Sequence, residues 1–126
     1  MRTVVLVVDD NPDMVGVIKH GLEYLHPNEF DVVCANDGEK CFELLNKSCK
    51  PDIILLDIML PGMNGWDIYD KLKRNDLWRN IPIIFISGRN DKVARTAGDV
   101  LREEYIEKPF AITNLKERIE KVLEQK

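Results

Sequence analysis

Alternating strand and helix signals predict an α/β fold, a single doubly wound parallel sheet of five strands with helices on both faces. Three observations carry this reading. Val4-Val5-Leu6-Val7-Val8, Ile53-Ile54-Leu55-Leu56 and Ile83-Ile84-Phe85-Ile86 are continuous apolar runs, as central strands covered on both sides require. Stretches of helical period separate them. Four of the five strand candidates then end in residues capable of chemistry.

The elements follow in order. After the first run, Asn11-Pro12 opens a helix with proline at its first position and Met14, Val15, Ile18, Leu22 and Leu25 as its apolar stripe. Phe30 to Ala35 is a weaker strand, and Asp37-Gly38 starts a second helix carrying Cys41, Leu44 and Leu45. The strand from Ile53 leads through Pro61-Gly62 and Asn64-Gly65, turn chemistry, into a third helix with Ile68 and Leu72. Asn90-Asp91 is expected to cap a fourth helix bearing Val93, Ala94, Ala97 and Leu101. Tyr105-Ile106 is too short for periodicity to define a strand by itself. Ile112, Leu115, Ile119, Val122 and Leu123 mark the last helix, whose Lys/Glu mixture is its solvated face.

Length and composition narrow the function. The 126 residues fit one domain of about 150. A net charge of −4 argues against nucleic-acid or membrane binding by bulk charge, since phosphates demand a positive field. No apolar run approaches the roughly 18 residues of a membrane span, and Met1-Arg2-Thr3 is expected to lead into a strand rather than a signal peptide. Cys34, Cys41 and Cys49 form no C-x-x-C pair, so reduced thiols in a cytoplasmic protein are expected.

In such sheets ligands bind beyond the carboxyl ends of the strands. Strand one ends in Asp9-Asp10, strand three in Asp57, strand four in Ser87-Gly88 and strand five in Lys108-Pro109. Three carboxylates and one ammonium leave a formal −2, which one divalent ion would cancel. Oxygen ligands alone favour a hard cation such as Mg²⁺. An aspartate is also a competent nucleophile toward phosphorus, and phosphoryl transfer needs mainly positioning and charge neutralisation. The chain lacks G-x-G-x-x-G after strand one, which argues against a dinucleotide site. Asp9-Asp10-Asn11-Pro12-Asp13 would repel the phosphate of a flavin mononucleotide.

Asp9-Asp10, Leu55-Leu56-Asp57, Met59-Leu60-Pro61-Gly62-Met63-Asn64-Gly65, Ile86-Ser87-Gly88 and Tyr105-Ile106-Glu107-Lys108-Pro109-Phe110 together resemble the receiver domain of two-component response regulators. The likeness covers essentially the whole chain, residues 1–126, with no output domain in it. It implies the flavodoxin-like strand order 2-1-3-4-5. It further implies Asp57 as phosphoacceptor, with Mg²⁺ held by Asp10, Asp57, the Met59 backbone carbonyl and, through water, Asp9. Ser87 and Lys108 would bind phosphoryl oxygens, Tyr105 would follow Ser87 as a switch, and the Lys108-Pro109 bond would be cis. Two departures stand out. Leu101-Arg102 replaces a common Gly-Ala pair, and Gly88 replaces a common alanine, which should loosen that loop.

The implied partners are a sensor histidine kinase or histidine phosphotransfer protein and a downstream protein target or output domain, with no direct nucleic-acid or membrane binding. Met14, Val15 and Ile18 are candidate docking residues, Met14 partly exposed. The fourth helix, fifth strand and last helix are expected to form the readout face. Such a domain catalyses only its own phosphorylation and dephosphorylation. A magnesium-dependent phosphatase with an aspartate nucleophile is the alternative, but it usually carries D-x-D where Asn11 stands here. An unphosphorylated interaction module of the same fold is disfavoured because every expected position is filled.

Overall fold

The computed structural model describes residues 2–47, 49–60, 62–88 and 104–124. Its elements are β1 (Thr3–Val8), α1 (Pro12–Leu25), β2 (Phe30–Ala35), α2 (Gly38–Lys47), β3 (Ile53–Asp57), α3 (Gly65–Arg74), β4 (Ile83–Ser87), β5 (Glu104–Glu107) and α4 (Ile112–Glu124). The predicted helix opening at Asn90-Asp91 and bearing Val93, Ala94, Ala97 and Leu101 lies outside the described residues, and so does the Leu101-Arg102 departure.

The five strands form one parallel sheet in the order β2-β1-β3-β4-β5, the doubly wound order that the resemblance implies. Because side chains alternate along a strand, each apolar run feeds two cores. Leu6, Val8, Ile54, Leu56 and Phe85 pack with Cys41, Leu45, Ile68 and Leu72 of α2 and α3. Val5, Val7, Ile53, Leu55, Ile84 and Ile86 pack with Ile18, Leu22, Leu115 and Ile119 of α1 and α4. Every residue of β3 and β4 is buried, which explains why their sequences do not alternate in polarity.

Turn residues fix where the helices begin. The Asn11 side chain accepts from the amides of Asp13 and Met14 ahead of Pro12, Asp37 Oδ1 accepts from Lys40 N at 2.8 Å, and Asn64 Oδ1 accepts from Asp67 N at 3.0 Å. The apolar stripe of α1 is shorter than its spacing suggests. It closes at Leu22, while Leu25 is exposed. Strand β5 is only four residues long; its pairing with β4, Tyr105 beside Phe85, makes it a strand. Among the described residues no helix is long and apolar enough to cross a membrane.

Candidate functional site

The carboxyl edge of the sheet gathers the side chains that the sequence places at strand ends. β1 delivers Asp9, almost fully buried, and Asp10, exposed; β3 delivers Asp57, also buried. One carboxylate oxygen from each lies within 4.8 Å of the others. Lys108, just beyond β5, reaches across the edge so that its Nζ is 3.3 Å from both Asp57 Oδ2 and Asp9 Oδ2. With Asp57 this is a hydrogen bond. Asp9 Oδ2 is in charge contact only and has no hydrogen-bond donor among the described residues.

Backbone amides hold the other oxygens. Asn11 N donates to Asp9 Oδ1 at 2.9 Å and Met59 N to Asp57 Oδ1 at 3.0 Å. Lys108 N donates to the Ser87 carbonyl at 2.7 Å, tying the ends of β4 and β5 together, and the Lys108-Pro109 bond is cis. Ser87 is fully buried, yet its Oγ has no hydrogen-bond partner among the described residues. A buried hydroxyl left unpaired costs about 1–3 kcal/mol, and here it stands at the end of β4, one residue beyond Ile86, the register partner of Asp57.

Charge crowding is visible in the acidities. Burial, then the neighbouring Asp9 charge, pushes the Asp57 carboxyl up to about 6, and the Lys108 ammonium only partly offsets them. Burial draws the Lys108 ammonium down, but the Asp57 and Asp9 charges outweigh it and hold the group above its ordinary value. Three carboxylates against one ammonium leave two negative charges. The close oxygen-only donor set and the undonated Asp9 Oδ2 fit a small hard dication. A cavity of about 450 Å³ opens beside Asp9 and Asp10 and is lined further by Cys34, Asn36 and Lys40.

Other sequence-derived candidates are more dispersed. Met59 is exposed. Tyr105 is half-buried and packs against the core on the α2–α3 side. Met14 and Val15 are half-buried. Ile18 is a correction: it is fully buried in the core between α1 and the sheet, because it lies mid-helix facing Val5 and Val7, and it offers no docking surface. The amide of Asn11 escaped sequence reasoning, since a backbone donor leaves no chemical signature in a sequence; Gly65 reads there as turn chemistry beside Asp57, and its close approach, with room for no Cβ against the Asp57 carbonyl oxygen, appears only in the fold. Lys40 and Asn36 escaped as well, because only folding brings the end of β2 beside Asp9.

A family model described as response regulator receiver domain matches residues 5–120. The chain is 32% identical over 120 residues to the transcriptional regulatory protein CpxR of Escherichia coli K12, covering 94% of this chain and 48% of that protein. It is 33% identical over 125 residues to the sensor histidine kinase TmoS of Ectopseudomonas mendocina, covering 97% of this chain and 12% of that one. The chain thus spans half or less of these curated relatives. Among solved structures, the receiver domain of Francisella response regulator 1452 superposes with a TM-score of 0.83 at 27% identity, covering 98% of each chain. The chemotaxis protein CheY4 of Vibrio cholerae has a TM-score of 0.84 at 21% identity, covering 97% of this chain and 99% of that one.

Proposed function

The chain belongs to the response regulator receiver domain family, and from that membership we propose that Asp57 accepts a phosphoryl group from a phosphohistidine on a partner protein, with Mg²⁺ bound. The observation that carries this reading is the convergence of buried Asp57 and Asp9 on Lys108, whose amide bonds Ser87, a residue with a buried hydroxyl that has no partner among the described residues.

In the proposed reaction a carboxylate oxygen of Asp57 attacks phosphorus and forms the O–P bond as the N–P bond to the partner's imidazole breaks. The ring nitrogen keeps the bonding pair. Lys108 Nζ, already between Asp9 and Asp57, donates to one phosphoryl oxygen. Ser87 Oγ supplies a neutral donor to another. Asp9, Asp10, Asp57 and the Met59 carbonyl would hold the metal, which when bound neutralises the carboxylates and the incoming oxygens. Hydrolysis of the acyl phosphate resets the domain, so it turns over no free substrate of its own.

Readout follows from Ser87. A move of its hydroxyl toward phosphate vacates space beside β5, into which half-buried Tyr105 can turn, changing the face of β5 and α4. Met14 and Val15, half-buried near the start of α1, offer apolar area to the phosphohistidine protein. A sensor histidine kinase or histidine phosphotransfer protein is the proposed donor, and a downstream protein or output domain the proposed target.

The test uses a histidine phosphotransfer protein carrying labelled phosphate. Label should pass to the wild type in Mg²⁺, not to Asp57→Asn, and more slowly to Met14→Ala. Transfer undiminished in excess chelator would remove the metal from the mechanism. Equal labelling of Asp57→Asn would remove Asp57.

A further inference from the structure

β2 and β5 are the outer strands of the sheet, so half of their backbone polar groups point away from it, an open template for strand addition. The carbonyls of Glu29, just before β2, and of Ala35 at its end accept from Thr3 N and Asp9 N at 2.8 and 3.0 Å. Odd-numbered residues therefore face β1, and Phe30, Val32 and Cys34 face outward. The middle one is closed from above. Val32 N donates to Glu23 Oε2 at 2.8 Å, and the Val32 carbonyl accepts from Lys19 Nζ at 3.0 Å. Lys19 and Glu23, one turn apart on α1, pair with each other at 3.1 Å.

The opposite edge repeats the arrangement. Lys108 N bonds to β4, so even-numbered residues face inward and the Tyr105 carbonyl faces out. It accepts from Arg118 Nη1 of α4 at 3.0 Å, and Arg118 Nη1 also pairs with Glu104 at 3.0 Å. β5 is short and carries Glu104 and Glu107, which already discourage pairing. β2 is six residues long and its one charged residue, Asp31, is neutralised by Arg2 at 3.0 Å. It has more need of a cap.

We propose that the Lys19–Glu23 pair is an edge cap that keeps β2 closed to antiparallel pairing with β2 of a second copy of this chain. A second copy is the fitting occupant because every copy carries the same outer edge, with Phe30, Val32 and Cys34 outward and its one charge, Asp31, already paired. A two-fold axis there pairs Val32 with its own copy and Phe30 with Cys34, an isologous edge that needs no other partner. The ion pair competes for the same two backbone groups at the centre of that pairing, and it does so whether or not Asp57 is phosphorylated.

The test is the double substitution Lys19→Ala with Glu23→Ala, its fold checked by circular dichroism. Both side chains are partly exposed, so their loss leaves the core intact. Sedimentation equilibrium should give a dimer at least tenfold tighter than that of the wild type, and amide exchange at Phe30, Val32 and Cys34 should slow as the variant is concentrated. An unchanged dissociation constant overturns the proposal. So does a tighter dimer whose β2 amides exchange equally fast at all concentrations. If the double variant does not fold, Glu23→Ala alone frees the Val32 amide and carries the same two expectations.

Discussion

Gly65 stands directly against Asp57: a Cβ at position 65 would lie 2.5 Å from the Asp57 carbonyl oxygen and 2.7 Å from the Ile58 Cα. The Gly65 amide donates to the Ile58 carbonyl at 2.9 Å. The start of α3 is thus pressed onto the strand end that carries Asp57, the proposed nucleophile, and only glycine permits the approach.

Replacing Gly65 by alanine should therefore force apart two backbones, costing about 1–3 kcal/mol and slowing the reaction of Asp57 with a small acyl phosphate. Gly16, mid-helix with open space around it, is the contrast. Gly16→Ala should stabilise by about 0.5–1 kcal/mol and leave the reaction untouched. Urea unfolding of both variants measures the first effect, and intact-mass time courses the second.

The acidity of Asp57 has consequences for pH. Its folded-state carboxyl titrates near 6, above its ordinary 3.8, so the folded metal-free domain binds this proton more tightly than the unfolded chain does. That contribution to stability is fully present below about 4 and is lost as pH rises through about 6. In chelator, unfolding free energy should thus fall between pH 4 and 6. Mg²⁺ competes with the same proton. Its apparent affinity should drop below pH 6, by up to about tenfold per pH unit, and level off above pH 7. Calorimetric titration from pH 5 to 8 reads this; a flat profile would contradict the crowded-carboxylate account.

Ser87 should separate stability from response. Its buried Oγ has no partner among the described residues, so Ser87→Ala removes an unsatisfied group and should leave the unmodified domain as stable as the wild type, or more stable by up to about 1 kcal/mol. Its response to a beryllofluoride phosphoryl mimic should shrink. In the wild type, amide shifts are expected to extend from Asp57 into residues 104–107 and 112–119. In Ser87→Ala they should stay near Asp57. Identical shift patterns in both proteins would exclude Ser87 as the link to β5.

Most of this arrangement is legible in the sequence because its information is local. Three unbroken apolar runs can be little else than doubly covered strands, and the residue after each run falls at the sheet edge by geometry alone. Hence Asp9, Asp57 and Ser87 converge without any knowledge of contacts. What depends on distant partners is illegible. β5 is a strand because Ile84 to Ser87 pair with it, not because of its own four residues. The division of the α1 stripe into buried Ile18 and half-buried Met14 and Val15 depends on where the helix crosses the sheet, which spacing does not encode. The caps on Val32 and Tyr105 join residues from separate elements, and a Lys-x-x-x-Glu spacing on a helix reads as an ordinary surface pair.

The central claim is that Asp57, among the carboxylates at this edge, forms the acyl phosphate. The most direct measurement is intact mass after incubation with a small acyl-phosphate donor and Mg²⁺, followed by reductive trapping and peptide mapping. The account predicts one added phosphoryl group, mapped to Asp57, absent from Asp57→Asn and suppressed in chelator. A phosphoryl group mapped to Asp9 or Asp10, or equal modification of wild type and Asp57→Asn, would contradict it.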